Sequence, residues 1–152
     1  DLVWEKACPD NTFVVVLGEQ AFDVPSSATG EHIRFQLPLP AAGAYDLRLD
    51  VKAGDEVVYT PRRPGKLKVL AAAEEATIKA SLMAAGDDFF AQSDLLEQHG
   101  LLVPAMDAYR AYFETYPDDI EMKPLFIANL QALRLMTEKT AEAQKYNDFI
   151  SE

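Results

Sequence analysis

Few side chains in this sequence have the type and spacing that chemistry requires. The histidines, His32 and His99, have no cysteine or second histidine at the spacing of zinc ligands. Ser26 and Ser27 lie in a turn segment without an evident base, and glycine-rich phosphate loops, dinucleotide fingerprints and nucleophile elbows are absent from the sequence. The sequence therefore predicts no catalytic residue, no metal site and no cofactor, and it indicates that the protein is not an enzyme.

Two pairs of adjacent carboxylates are the remaining candidates for acid–base or calcium chemistry. Asp87 and Asp88 precede one predicted helix, and Asp118 and Asp119 precede another. Carboxylates at these positions accept hydrogen bonds from free backbone N–H groups and complement the helix dipole. The spacing of a calcium loop is absent. We predict that both pairs cap helices.

Aromatic side chains on the predicted helices are better suited to recognition than to reaction. They recur at helical spacing as Phe89, Phe90, Tyr109, Tyr112, Phe113 and Tyr116. We expect most of these rings to lie in the core, with Phe90, Phe113 and Tyr116 able to line a groove. The candidate partner-binding residues in this region are Phe90, Tyr109, Phe113 and Tyr116.

A basic cluster lies in and after a proline-bracketed loop, and it consists of Arg62, Arg63, Lys66 and Lys68. One interpretation makes it a docking patch for an acidic partner or a phosphate, with Arg62 and Arg63 as contacts. The other is structural: the lysines protect an exposed edge strand from aggregation, or the loop leans on the acidic half of the chain. We favour the structural interpretation and keep Arg62 and Arg63 as candidate partner contacts.

Charge and hydropathy exclude two classes of partner. The formal net charge of −11 argues against nucleic acid, since phosphate binding needs a positive surface. Residues 1–70 contain eight Lys or Arg and ten Asp or Glu, a balance of −2, whereas residues 71–152 contain six and fifteen, a balance of −9. This acidity fits a solvated face or the docking of a basic partner. No apolar run approaches the ~20 residues that a membrane span needs.

The elements that position these residues change type near Leu70. Before that point apolar residues alternate with polar ones, as strands require, and after it they recur every three to four residues, as in helices. Strands followed by helices predict a segregated α+β fold. We predict a domain over residues 1–70 and a second over residues 71–152. Because no flexible linker separates them, we expect a packed and fairly rigid junction.

The first half is predicted to form an antiparallel β-sandwich, because short strands alternate with Gly- and Pro-rich turns. The predicted strands are Thr12–Leu17, Gln20–Val24, Glu31–Leu37, Ala44–Val51, Glu56–Thr60 and Lys66–Leu70. Within this half, the Pro/Gly loop and Gly-x-Tyr-x-aliphatic strand start between Leu37 and Leu47 resemble the corner of immunoglobulin-like domains. Their cysteine pair is missing, and Cys8 has no partner in the sequence. We expect Trp4 to pack across an edge or the domain junction.

The second half is predicted to contain five helices, separated by glycines and prolines: 71–85, 87–99, 103–115, 122–136 and 139–150. Residues 86–119 resemble a tetratricopeptide repeat, a helix-turn-helix unit. The positions that carry the resemblance are Phe89, Ser93, Leu96, Gly100, Ala105, Tyr109 and Pro117. Gln92 and Tyr112 depart from the pattern. Residues 105–118 are most similar to repeats of bacterial envelope assembly and scaffolding proteins.

The resemblance implies a protein or peptide partner bound by the helical half. We therefore expect a non-enzymatic interaction or scaffold module, with a location in the periplasm or cell envelope. The alternative from a different class is a carbohydrate- or surface-binding β-sandwich with a helical connector. The sequence does not predict the oligomeric state.

Overall fold

The structure is a computed structural model that describes residues 1–6, 8–25 and 32–151. Its strands are β1 (Leu2–Glu5), β2 (Asn11–Leu17), β3 (Gln20–Asp23), β4 (His32–Phe35), β5 (Gly43–Ala53), β6 (Glu56–Tyr59) and β7 (Gly65–Val69). Its helices are α1 (Ala72–Ala85), α2 (Phe89–Gln98), α3 (Leu102–Thr115), α4 (Lys123–Ala132) and α5 (Met136–Ile150). The predicted α+β class, with antiparallel strands before helices, is confirmed.

The strand half contains two sheets around a small core. One sheet has the order β3-β2-β5-β6, with β7 also paired to β5, and the other consists of β1 and β4. The alternating residues Val15 and Leu17 of β2 are buried with Leu37. The hydroxyl of Tyr45 donates a hydrogen bond to the carbonyl of Ala41 at 2.7 Å. This bond back to the preceding loop resembles the tyrosine corner of immunoglobulin-like sandwiches.

The helical half has the larger core. Consecutive helices pack against one another, and the residues buried between them include Leu96, Met106, Tyr109, Phe126, Leu130 and Leu135. Local signals fix the helix ends. Asp88 caps α2 by accepting a hydrogen bond from the Ala91 N–H at 3.0 Å, as predicted, and His99 ends the helix. Gly100 follows with a φ of +70°, a conformation that glycine adopts without steric cost.

The sequence misplaced one helix boundary and missed one strand. The predicted helices 122–136 and 139–150 are in fact separated at Leu133–Leu135, because Arg134 adopts a left-handed φ of 59° that ends α4 without a glycine. Strand β1 was not predicted, since its four residues show little alternation. The predicted turn at residues 26–30 and the start of a strand at Glu31 lie outside the described residues.

Contacts cross the junction at several places. Arg34 of β4 donates to both carboxylate oxygens of Asp107 on α3, each at 2.7 Å. Its Nε also donates to Asp1 at 2.6 Å. Glu5 of β1 accepts from the Thr137 N–H at the start of α5. Val3, the neighbour of Trp4, packs against the helical core. The halves are therefore in direct contact, while their division at residue 70 stays a prediction.

Candidate functional site

A concave site lies between three helices of the second half, and we call it the α2–α4 groove. Its volume is about 330 Å³. The residues that line it are Phe90, Ala91, Ser93, Asp94, Glu97, Tyr109 and Leu125. Most of the wall comes from α2, whereas α3 contributes Tyr109 and α4 contributes Leu125. The groove thus combines apolar and acidic side chains.

The wall on α2 follows from the helical spacing of three residues. Phe90, Asp94 and Glu97 stand four and three positions apart, so they share one face of the helix. The Asp88 cap sets where the helix begins. Next to this face of α2, Ser93 and Leu96 are buried, and Ser93 also lines the groove. Phe90 remains 51% exposed, an unusual position for a large aromatic ring at the mouth of a groove.

Tyr109 forms the floor of the groove. Its side chain is 1% exposed, and its ring lies edge-on to Phe89, with centroids 5.6 Å apart. Burial raises the pKa of Tyr109 to about 12, and the nearby charge of Glu97 adds to the rise. Both causes oppose a negative charge on the phenol. Of the two, only the charge of Glu97 favours a cation in the groove, because burial opposes a charge of either sign.

The carboxylates of the groove have neutral partners. Gln98 Nε2 donates to Asp94 at 2.6 Å, and Asn129 Nδ2 donates to Glu97 at 3.3 Å and to the Leu102 carbonyl at 3.1 Å. Over residues 1–6, 8–25 and 32–151, no Lys or Arg forms a salt bridge with Asp94 or Glu97. The groove therefore carries negative charge that no cation of the described chain neutralises.

The other aromatic candidates lie outside this groove. Phe113 is half-buried, with its ring stacked on Phe126 and Lys123 Nζ 3.9 Å from its centroid. Phe113 therefore packs α3 against α4, and Lys123 links α4 to α5 through its salt bridge with Glu142 at 3.0 Å. Tyr116 is exposed at the end of α3. Its ring leans on Tyr112 with centroids 5.0 Å apart and does not line the groove.

The basic cluster divides into two pairs. Lys66 pairs with Asp46, and Lys68 Nζ lies 2.8 Å from Glu74 at the start of α1. These lysines fit the structural interpretation, since one pairs along the sheet and the other leans on the helical half. Arg62 and Arg63 are both exposed in the loop between β6 and β7. Neither arginine forms an ion pair with another described residue.

The sequence predictions included Phe90 and Tyr109 among the candidate partner-binding residues, but not the other five residues that line the groove, which are Ala91, Ser93, Asp94, Glu97 and Leu125. The spacing of Phe90, Asp94 and Glu97 was a readable signal of a mixed apolar and acidic face. Leu125 and Asn129 had no such signal, because only the packing of α4 brings them beside α2. Asn129 is 2% exposed, and its Oδ1 has no hydrogen-bond partner within the described structure.

Two negative findings apply to the described part of the chain. In these residues no three His, Cys, Asp or Glu side chains come together as metal ligands. None of the described helices has the length and apolar character to cross a membrane.

Comparison with known families gives two matches that together span most of the chain. Residues 68–148 match the family described as "Magnetotaxis protein MtxA, C-terminal domain". Residues 1–70 match the one described as "Magnetotaxis protein MtxA, Immunoglobulin-like domain". No curated protein matches the chain. The immunoglobulin-like prediction for the strand half is confirmed, neither description names a catalytic activity, and the tetratricopeptide resemblance stays a prediction.

Proposed function

The chain belongs to the magnetotaxis protein MtxA family, and from that premise we propose that it is a non-catalytic interaction module of magnetotaxis. Its α2–α4 groove binds a segment of a partner protein, and the strand half holds the helices in place. The observation that carries the proposal is the groove itself, in which Phe90 and Leu125 are exposed beside Asp94 and Glu97. The groove thus exposes apolar area next to carboxylates that form no salt bridge with a described Lys or Arg.

The chemistry of the groove defines the partner segment. Phe90 and Leu125 offer apolar area, and each comparable side chain that becomes buried contributes about 1.5–3 kcal/mol. Asp94 and Glu97 select a cationic side chain, which the faces of the aromatic rings also attract. The segment therefore contains an apolar residue next to Lys or Arg. An acidic segment is repelled by both carboxylates.

The architecture of the binding half is of the tetratricopeptide kind. Helices α2 and α3 form one hairpin, and α4 and α5 form the next. The small residues Ser93 and Ala105 are 2% and 0% exposed, which lets the first two helices approach closely. In this arrangement α2 and α4 line one side, where the groove lies.

A photo-crosslinking residue at position 125 tests the binding proposal. Installed in the host protein in living cells, it is expected to capture a partner at a defined segment that mass spectrometry identifies. The matched control carries the same residue at Met83, which is 83% exposed on α1 and outside the groove. Asp94→Lys is expected to weaken binding of the purified partner. Equal capture from position 83, or full affinity of Asp94→Lys, contradicts the proposal.

The carbohydrate-binding alternative rests on the strand half. Among its described residues, Tyr59 on β6 is the aromatic ring with large exposure, and Val57 and Val58 lie beside it. Stacking on a sugar requires such a ring. Glycan-array binding that is lost in Tyr59→Ala favours this function, whereas glycan-array binding that is unchanged in Tyr59→Ala contradicts it.

A further inference from the structure

The strand half presents a surface whose chemistry complements the α2–α4 groove. Strand β6 is an edge of its sheet, and all four of its residues are exposed. Val57, Val58 and Tyr59 thus place three large apolar side chains in solvent. Arg62 and Arg63 follow within the next loop. We call Val57–Tyr59 together with these arginines the β6 surface.

Natural proteins normally protect an exposed apolar strand at the edge of a sheet. Natural edges are short, charged or covered, because a bare apolar edge pairs with other chains. Here β6 is short and has one charged residue, Glu56 at its start, while Arg62 and Arg63 lie in the loop beyond its end. The strand therefore keeps its apolar side chains free for contact. The adjoining arginines restrict that contact to an acidic surface.

Arg62 and Arg63 are suited to the groove in three respects. They are exposed, they form no ion pair with a described residue, and they stand three and four positions after Tyr59. A guanidinium pairs with a carboxylate through parallel hydrogen bonds and stacks on an aromatic face. Asp94 offers the carboxylate, and Phe90 offers the ring. An apolar and basic segment thus meets an apolar and acidic groove.

We propose that the occupant of the α2–α4 groove is the β6 surface of a second copy of this chain. The proposal rests on the proposed function, in which the groove is a binding site. Within one molecule Arg62 and Arg63 are exposed and make no ion pair with the groove carboxylates. The proposed contact between these arginines and the groove therefore joins two copies of the chain. Because different surfaces meet, the association is head-to-tail and forms chains or closed rings. One loop in one groove makes a small interface, of the transient class below about 1,200 Å².

Charge reversal tests this proposal with two variants of the full chain. The loop variant carries Arg62→Glu and Arg63→Glu, and the groove variant carries Phe90→Lys and Asp94→Lys. All four positions are exposed, so both variants are expected to fold, which circular dichroism checks. Sedimentation velocity over a concentration series measures association. We expect the wild-type chain to self-associate, more strongly at low salt, and each variant to lose about tenfold or more of that association.

Mixing the variants gives the decisive result. The loop variant keeps an intact groove, and the groove variant keeps an intact β6 surface, so an equimolar mixture is expected to regain the association that each variant lacks alone. The control with Lys79→Glu and Lys145→Glu has the same charge as the loop variant and should associate like the wild type.

A wild-type chain that stays monomeric, or a mixture that stays monomeric, overturns the second-copy proposal. If position 125 then captures a segment of a different protein, the groove is still a binding site, but its occupant is not a second copy of this chain. If position 125 captures nothing and the wild-type chain is monomeric, both proposals fail.

Discussion

The contacts between the two halves predict that they unfold as one unit. Leu130 of α4 is fully buried in the helical core, far along the chain from any strand. Leu130→Ala is expected to remove about 2–5 kcal/mol of unfolding free energy, through lost transfer energy and the cavity that remains. With a urea dependence of about 2 kcal/mol per molar, a typical value for a small protein, the unfolding midpoint falls by about 1–2.5 M.

Trp4 makes the coupling measurable, because it is the only tryptophan and lies in the strand half. Its ring is edge-on to Phe13 of β2 with centroids 5.5 Å apart, so its fluorescence reports the strand core. Circular dichroism at the helical band reports the other half. We expect the two signals of Leu130→Ala to shift together in urea. The control Leu39→Ala removes the same atoms at a site that is 69% exposed, and it should change stability by less than about 0.5 kcal/mol.

The reciprocal variant completes the test. Leu17 is 3% exposed in the strand core, and Leu17→Ala should lower the midpoint of the helical signal as well as that of Trp4. The coupling would be refuted if Leu130→Ala lowered only the helical midpoint, or if Leu17→Ala lowered only the Trp4 midpoint. The contacts of Arg34, Glu5 and Val3 would then hold the halves together without coupling the unfolding of one half to that of the other.

Three further predictions concern single side chains. The hydrogen bonds from Arg34 hold the pKa of Asp107 below its usual range. The contact between Arg34 and Asp107 therefore stabilises the folded chain fully above the unfolded pKa of about 3.9, and this stabilisation is lost as pH falls through the folded pKa. Asp107→Asn should therefore cost about 0.5 kcal/mol at pH 7 and little near pH 2 in thermal melts, and an equal loss at both would contradict the assignment. Asn129→Asp buries a carboxylate beside Glu97 and should cost about 3 kcal/mol or more in urea unfolding. Tyr109→Phe should remove one tyrosinate absorbance step near pH 12, because the raised pKa favours the neutral phenol up to that pH.

Much of the fold was predictable because its signals are local. The alternation in β5 and the caps at Asp88 and Gly100 each lie within a few residues of the element that they define. The break between α4 and α5 was not predictable, since Arg134 takes a backbone conformation that glycine usually marks. Tertiary packing around Leu130 and Leu135 holds that turn in place, and no local pattern records it.

The candidate site was predictable in part for the same reason. Phe90 and Tyr109 stood out as aromatic residues on adjacent helices, although their burial differs completely. Phe113 had the same sequence signal as Phe90, yet Lys123 and Phe126 cover its ring. Periodicity identifies residues on a helix, but only the neighbouring helices decide which of them face solvent.

The position of the strand half bears on how five helices could support the proposed binding face. A helical hairpin cannot bury its apolar side alone and needs a neighbour to stack on. Here the neighbour on the α3 and α5 side is the β1–β4 sheet, which contributes Val3 to the helical core and Arg34 and Glu5 to polar contacts. No strand of the described residues covers the α2 and α4 side in this way, and it is the side that carries the groove. In the proposed function, the immunoglobulin-like half thus takes the place of a further repeat and leaves the open face to a partner.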